Sequence, residues 1–78
     1  MSMSNKIKYV MGEQNKKRDD LLTALGISYQ AVSNKFNRDS FSGADLIKIA
    51  DCLGVKLAFV GDDDKKIVAF SMSDIEKK

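Results

Sequence analysis

The chain has no histidine, no proline and no tryptophan, and its single cysteine is Cys52. Histidine is the commonest general base and the commonest metal ligand in proteins, so its absence argues against most hydrolases and most zinc sites. A lone cysteine forms no internal disulfide, which is typical of a reducing compartment. The composition therefore predicts a cytoplasmic protein that is not an enzyme, and we expect no metal or cofactor; no small-molecule ligand is evident.

Long apolar runs are also missing. No segment approaches the roughly 18 apolar residues that a membrane helix needs, and the opening MSMSNKIKYVMGE lacks the apolar block of a signal peptide. An apolar content of 44% with 31% charged residues is ordinary for a globular chain. We therefore expect one domain over residues 1–78, without membrane association.

Charge is distributed unevenly between the two halves. Residues 1–38 contain seven Lys and Arg against three Asp and Glu, giving +4, whereas residues 39–78 contain six against eight, giving −2; together these make the net +2 of the chain. The basic first half is a weak indication of an anionic partner.

Apolar residues spaced three and four apart predict four helices. The first runs from about Ser4, as N-cap, to Gln14. The second carries Asp19 and Asp20 in its first turn, where acidic residues suit the helix dipole, and it ends at Gly26.

Two further helices follow that glycine. Ser28 is the predicted N-cap of the third helix, which runs to about Asn37. Ser42 and Asp45 form a predicted capping box for the fourth, whose apolar stripe of Leu46, Ile49, Ala50 and Leu53 ends at Gly54.

Beyond Gly54 the pattern changes to β-branched and aromatic residues. The segments VKLAFV and KIVAF, separated by the turn Gly61 to Asp64, predict a β-hairpin. Pairing Val60 with Lys65 would place one apolar face, that of Val55, Leu57, Phe59, Val68 and Phe70, against the helices. The chain therefore divides into a helical part at 4–54, a hairpin at 55–72 and a tail at 73–78, and we expect residues 71–78 to continue the strand briefly and then fray.

The second and third helices are joined by a short turn that contains Gly26, which is typical of a helix-turn-helix unit. The outward face of the third helix is unusual for a merely solvated surface, because it carries amides and hydroxyls in place of Glu and Lys, which favour helices more. Its residues are Tyr29, Gln30, Ser33, Asn34 and Asn37. Side-chain amides match the hydrogen-bonding edge of adenine in the major groove.

LLTALGISYQAVSNKFN, followed by LIKIADCLGV, resembles the phage-repressor type of helix-turn-helix domain (Cro/CI, or XRE) over about residues 7–55. Gly26 falls on the turn glycine of that family and Val32 on its β-branched core position. The resemblance implies a mainly α fold, a four-helix lambda-repressor-like domain, here followed by a C-terminal β-hairpin in place of a fifth helix. It also implies that the third helix binds double-stranded DNA.

Residue by residue, the resemblance implies two groups of DNA contacts. Base edges would meet Tyr29, Gln30, Ser33 and Asn34. The DNA backbone would meet Arg18, Asn37 and Arg38, and the cations Lys17 and Lys35 would add sequence-independent attraction.

The chain also departs from the family. Lys16-Lys17 replaces the usual Leu-Thr pair, which leaves the start of the second helix open and makes Asn15 an alternative cap. Leu22 stands where the family prefers Ala.

Less specific interpretations stand beside these. The polar face of the third helix could simply be solvated. The cations could be ordinary surface charges, and Tyr29 could be a packing residue. The run Asp62 to Asp64 is not followed by the Glu that a calcium-binding loop needs, so we interpret it as a solvated turn. We interpret Cys52 as a structural thiol. The hairpin predicts a homodimer, although Lys56, Lys65 and Lys66 could instead protect its edge and leave a monomer.

Taken together, the sequence favours sequence-specific duplex-DNA binding by a small bacterial or phage transcriptional regulator that acts by operator occupancy. The alternative is a protein-interaction module, an antitoxin or adaptor, on the same fold. An enzyme is the poorest fit, because no catalytic set can be assembled from these residues.

Overall fold

The computed structural model describes residues 2–75. Four α-helices are followed by a two-stranded antiparallel sheet and a short 3-10 helix, which confirms the mainly α fold with a C-terminal hairpin. The elements are α1 (Met3–Glu13), α2 (Arg18–Leu25), α3 (Tyr29–Arg38), α4 (Gly43–Leu53), β1 (Leu57–Val60), β2 (Lys66–Phe70) and the 3-10 helix Met72–Asp74.

The turn between α2 and α3 forms as the local residues predict. Gly26 adopts a left-handed conformation (φ 67°, ψ 34°), and its N–H donates to the carbonyl of Leu22, which closes α2. Ser28 then caps α3, because its Oγ accepts a hydrogen bond from the N–H of Ala31 at 3.2 Å. One glycine and one serine thus end one helix and begin the next.

The capping box of α4 is also confirmed. The Ser42 Oγ accepts from the N–H of Asp45, and Asp45 Oδ2 accepts from the N–H of Ser42, both at 3.0 Å. Gly54 ends the helix in a left-handed conformation. Inside α4 the buried set differs slightly from the predicted stripe, since Ile47 is buried and Leu46 is only half-buried.

The predicted N-cap of α1 was wrong. The helix begins at Met3, and the Oγ of Ser2 accepts from the N–H of Asn5 at 3.1 Å. Ser4 is buried, and its hydroxyl donates to the carbonyl of Phe36 at 2.8 Å. A serine that sequence reasoning placed at a helix end therefore joins α1 to α3, because a long-range carbonyl lies within reach of its side chain.

Asn15 does not cap α2. It adopts a left-handed conformation (φ 61°) just after α1, a role in which Asn often replaces Gly. Lys17 holds the cap position of α2, and its N–H donates to Asp20 Oδ2 at 2.8 Å. The aspartate side chain thus forms the half of a capping box that serves the N–H of the cap residue, whereas Lys17 provides no side-chain bond to the first turn of α2.

All four helices contribute to one hydrophobic core. Leu21 of α2 and Val32 of α3 are fully buried, with 0% of their surface exposed. The other members are Ile7, Met11, Leu25, Phe36, Ile49 and Leu53, and Leu22 packs against them while remaining half-buried. The crossing of α2 and α3 is therefore held by the leucines and the valine that the helix-turn-helix interpretation required.

The hairpin forms with a different register from the predicted one. Pairing Val60 with Lys65 would place Leu57 opposite Val68, whereas the structure places Leu57 opposite Phe70. A bulge lets Val60 pair with Lys66 and leaves Ile67 without a partner in the ladder. Because the shift is even, Leu57, Phe59, Val68 and Phe70 still share one face.

Only the base of the hairpin packs against the helices. Leu57 and Phe70 are half-buried, but Phe59 is 62% exposed, so the expectation that Phe59 packs on the helices was wrong. The ring of Phe59 instead meets that of Phe70 edge-on, with centroids 5.3 Å apart. Phe59 lies two residues farther along β1 than Leu57 and, unlike Leu57, does not line the groove beside α4.

The chain turns after β2. Ser71 donates its N–H to Asp74 Oδ2 at 2.7 Å, and Met72–Asp74 forms the 3-10 helix, so the strand does not extend into the tail as expected. Residues 76–78 of the predicted tail lie outside the described residues.

Candidate nucleic-acid interface

The outer face of α3 is built from three exposed side-chain amides. Gln30, Asn34 and Asn37 follow one another at intervals of four and three residues, which places them on one side of the helix. Val32 and Phe36 are buried on the opposite side. The burial of two apolar residues thus directs the amides away from the protein.

These amides are available for external hydrogen bonds. Within residues 2–75, the structure gives the side chains of Gln30, Asn34 and Asn37 no hydrogen-bond partner, and all three are exposed. Tyr29, at the start of α3, is 50% exposed. An amide offers one acceptor oxygen and two donor hydrogens, so this face can both donate and accept further hydrogen bonds.

Arg18 and Ser33 form one flank of this face. Arg18 Nη1 donates to Ser33 Oγ at 3.3 Å, and the guanidinium carbon lies 4.7 Å from the centroid of the Phe36 ring. Both Arg18 and Ser33 are half-buried. The cation is therefore held against α3 by a hydrogen bond and a cation–π contact, and the Ser33 hydroxyl retains a hydrogen that it can donate elsewhere.

Lys8 lies against the same aromatic ring, and sequence reasoning missed it. Its Nζ lies 5.9 Å from the centroid of Phe36. Lys8 stands one turn after Ser4, whose hydroxyl bonds to the carbonyl of Phe36. The only sequence signal was this four-residue spacing from a serine whose long-range contact was unknown.

Lys35 and Asp45 form the opposite flank. Lys35 Nζ lies 2.8 Å from Asp45 Oδ2, and both side chains are partly buried. Although burial raises the pKa of Asp45, the hydrogen bonds from Lys35 and Ser42 and the charge of Lys35 hold the pKa of Asp45 below its ordinary value. Lys35, predicted to meet the DNA backbone, is thus tied to α4 in the isolated chain.

A shallow cleft of about 270 Å³ follows this flank. It is lined by Ala31, Asn34, Lys35, Arg38 and Ser40. Asn34, Lys35 and Arg38 were predicted as contact residues, and the fold brings them together with Ser40, which was not predicted. The cleft combines two cations with amide and hydroxyl groups, a suitable set of donors for a phosphate.

The C-terminal end of α3 is anchored to the start of α1. Asp39 has a left-handed backbone (φ 54°), and its carboxylate accepts from the N–H of Ser4 at 2.6 Å and from the N–H of Met3 at 3.4 Å. The neighbouring Ser4 side chain and these backbone donors lower the pKa of Asp39. One carboxylate therefore serves the donors at the N-terminus of α1 and holds α3 in position.

The remaining predicted residues lie at the ends of the two helices. Lys17 is exposed just before α2, and Asn37 and Arg38 are exposed in the last turn of α3. Arg18 beside Ser33 and Lys35 beside the cleft place a cation on each side of the amide face. Among residues 2–75 there is no cluster of three or more potential metal ligands, and none of the helices there is long and apolar enough to cross a membrane.

The crossed pair α2 and α3, with amides on the exposed face of the second helix, defines a helix-turn-helix domain. The chain matches the family described as "Bacteriophage CI repressor helix-turn-helix domain" over residues 6–66 and belongs to that family. This confirms the resemblance stated from the sequence, and it places the chain in a family of DNA-binding repressor domains, which is not an enzyme family. Comparison with curated proteins and with solved structures finds no match.

Proposed function

We propose that this protein is a sequence-specific transcriptional regulator that represses by occupying an operator in duplex DNA. The exposed amide face of α3 carries the proposal. Gln30 and Asn34 have the groups that pair with the N6 and N7 positions of adenine, and no internal partner among the described residues competes for them. Tyr29 and Ser33 border the same face and complete the proposed base-reading set.

Cations beside α3 support the same function. Arg18 lies on the flank that includes Ser33, Lys8 lies near the same Phe36 ring, and Arg38 lines the cleft on the other flank. A helix seated in the major groove, which is about 12 Å wide, has phosphates on both sides. Arg18, Lys17, Arg38 and Asn37 would bind those phosphates, and Lys35 would join them through the cleft.

The proposal includes a homodimer. One α3 offers only a few base contacts, whereas two copies related by a two-fold axis would read two half-sites about 34 Å apart. A near-palindromic operator follows from that symmetry. We place the protein in the bacterial cytoplasm, where an operator of either a host or a phage genome is accessible.

Selection of bound fragments from a random duplex library tests the proposal. We expect enrichment of a near-palindromic motif with adenines in each half-site, bound with an affinity that falls steeply as salt is raised. A library that stays unenriched, with negligible affinity at low salt, would overturn the proposed function.

The second candidate is a protein-interaction module on the same fold. The exposed Phe59 and Val68 of the hairpin favour it, because adjacent apolar side chains in water commonly mark an interface. The same selection experiment distinguishes the two functions, since an interaction module lacking DNA affinity would bind no duplex at low salt.

A further inference from the structure

One cation of α3 already has an anionic partner inside the protein. Lys35 Nζ donates to Asp45 Oδ2 of α4 at 2.8 Å, and this is the one ion pair among residues 2–75. Three other cations predicted to meet the DNA backbone form no ion pair in that range, namely Lys17, Arg18 and Arg38. Lys35 therefore differs from them, because it must leave a carboxylate before it can bind a phosphate freely.

The two partners differ in how accessible and how firmly held they are. Lys35 keeps 31% of its side chain exposed, whereas Asp45 keeps 15%. Asp45 is also fixed by its own helix, since Oδ2 accepts from the N–H of Ser42 at 3.0 Å. A lysine has a long flexible stem with donors that rotate. An anion from solution can therefore reach the lysine, and the lysine is the partner that can move.

The cleft on this flank offers the Lys35 ammonium group a second position. It has a volume of about 270 Å³, and four of its lining side chains donate hydrogen bonds: Asn34, Lys35, Arg38 and Ser40. No carboxylate among the described residues lines it. Asp39, which lies between Arg38 and Ser40 in the chain, directs its carboxylate to the N–H groups of Met3 and Ser4. The cleft thus combines donors for an anion with no competing negative charge.

Asp45 is a charged competitor at neutral pH. Although burial raises its pKa, the hydrogen bonds from Lys35 and Ser42 and the charge of Lys35 hold the pKa of Asp45 below its ordinary value. Lys48 stands three residues after Asp45 on α4, at a spacing that brings side chains together, but it forms no ion pair with Asp45 in the described part of the chain. Asp45 therefore keeps a cation nearby when Lys35 moves away.

We propose that Asp45 competes with the DNA backbone for Lys35: it holds the lysine in the free protein and gives it up to a phosphate in the cleft when a duplex binds. Asp45 contacts no DNA and acts only through Lys35, so it is a positioning residue. Because this exchange costs the ion pair, Asp45 lowers the affinity for DNA of every sequence.

The inference rests on the proposed function, since the phosphate belongs to the bound duplex, and it predicts a particular salt dependence. A cation that binds a phosphate without leaving a partner adds about 0.9 to the slope of log affinity against log salt, because counterions are released. When Lys35 moves from Asp45 to a phosphate, the carboxylate left behind attracts a cation from solution, which offsets most of that release. Lys35 should therefore contribute little to the slope until Asp45 is neutralised.

Fluorescence anisotropy of the full chain on a random duplex, repeated over a range of salt concentrations, tests the inference. We expect Asp45→Asn to tighten binding several-fold at low salt and to steepen the slope by up to about one unit. In the Lys35→Ala background the same change should give almost no gain and no change of slope, because the residue through which Asp45 acts is missing. A gain that persists in that background would overturn the inference, since Asp45 would then act only as a negative charge near the duplex.

Ser42→Ala is the matched control for the structural role of Asp45. It removes the hydrogen bond from the N–H of Asp45 to the Ser42 hydroxyl but leaves the ion pair in place. It should destabilise α4 and leave both the affinity and the slope unchanged. Asp45→Asn keeps a side-chain oxygen that can accept from the N–H of Ser42, so the cap is retained. If Ser42→Ala tightened binding as much as Asp45→Asn, the effect would come from the cap and the inference would be wrong.

A second comparison leaves Asp45 intact and so does not depend on how α4 tolerates a substitution. Lys35 and Arg38 line the same cleft, but only Lys35 has an ion-pair partner among residues 2–75. Arg38→Gln should therefore reduce the salt slope by about one unit, whereas Lys35→Gln should reduce it much less. Equal reductions would show that Lys35 gives up no partner on binding, which would contradict the exchange.

The same titrations distinguish failure of the inference from failure of the proposed function. If the wild type binds duplex but the gain of Asp45→Asn is absent or does not depend on Lys35, the inference is wrong and the DNA-binding function stands. If neither the wild type nor Asp45→Asn binds any duplex at low salt, the function is wrong and the inference falls with it.

Discussion

Helix α3 and the β-hairpin both expose a distinctive surface, but they expose opposite kinds. The outward residues of α3 are amides such as Gln30 and Asn34, which water solvates well, whereas the hairpin exposes Phe59 and Val68. An exposed amide costs little while it waits for a partner, but an exposed apolar group is unfavourable until it is covered. The amide face of α3 is therefore well solvated without a partner, whereas the exposed apolar pair of the hairpin is not.

The two regions also differ in how they are held. Val32 and Phe36 bury the inner side of α3, and Asp39 ties its end to α1. The hairpin is held mainly at its base, by Leu57 and Phe70. Such a frame holds the exposed side chains of α3 at fixed positions, as a binding site requires, whereas the end of the hairpin has no comparable support.

The largest expected effect is a difference in how much a core substitution and a hairpin substitution lower the free energy of unfolding. Leu21→Ala removes a fully buried side chain from the core, and we expect it to lower the free energy of unfolding by about 3 kcal/mol or more. Phe59→Ala should cost less than about 1 kcal/mol at concentrations where the chain is monomeric, because the side chain is already exposed. Urea denaturation followed by circular dichroism measures both, and equal losses would contradict this division.

The next effect tests whether the amides read bases. Gln30→Ala should weaken binding to the selected operator by roughly 1–3 kcal/mol and leave binding to random duplex almost unchanged. Its free energy of unfolding should stay within about 0.5 kcal/mol of wild type, because the side chain is exposed and has no internal partner among residues 2–75. Fluorescence anisotropy gives both affinities, and an equal loss on the two duplexes would remove Gln30 from the base-reading set.

A smaller effect concerns the flank where α4 holds Lys35. Ser42→Ala removes one capping bond of α4 and should cost about 1 kcal/mol of stability. Asp45→Ala removes the other capping bond and also the ion pair to Lys35, so it should cost more than Ser42→Ala. Thermal denaturation compares the two variants, and a loss for Asp45→Ala no larger than that for Ser42→Ala would contradict a stabilising ion pair.

We expect Arg18 to contribute equally to the affinity for every DNA sequence. Arg18→Ala should weaken binding to operator and random duplex by a similar factor, and it should reduce the slope of log affinity against log salt by about one unit. The measurement is a salt titration of both duplexes. A full, unchanged slope would show that Arg18 only packs on Phe36 and bonds to Ser33.

The smallest effect is a dependence of stability on acid. The pKa of Asp39 is lowered in the folded protein by Ser4 and the nearby backbone donors, so its contribution is complete above the unfolded value of 3.8 and is lost as pH falls through the folded value. Asp45 acts in the same direction. Melting temperatures measured downward from about pH 5 should fall for wild type and fall less for Asp39→Asn; parallel curves would contradict the assignment.

Much of the helical frame was predictable because its determinants are local. Gly26 and Ser28 act through their own backbone and the residues within one turn, and the Ser42 and Asp45 pair needs only a three-residue spacing. The α3 amides were likewise identified by spacing, since the buried Val32 and Phe36 define the opposite side of the helix. Local geometry was sufficient for both.

The remaining features depend on contacts far apart in the chain. The hydrogen bonds of Ser4 to Phe36 and to Asp39 span more than thirty residues, and no local pattern marks them. To predict the ion pair between Lys35 and Asp45, one would have to know where α4 begins relative to α3. The exposure of Phe59 depends on how far the hairpin extends beyond the helices, which the alternation of side chains alone does not reveal.

The absence of internal partners for the α3 amides among the described residues has an evolutionary consequence. Gln30, Asn34 and Asn37 can be replaced with little loss of folding free energy, whereas the groups that orient the helix are buried or bonded. Under the proposed function, substitution of these amides one at a time would change the operator that is bound while the fold stays the same. The same separation makes α3 a suitable place to randomise when engineering a repressor with a chosen target.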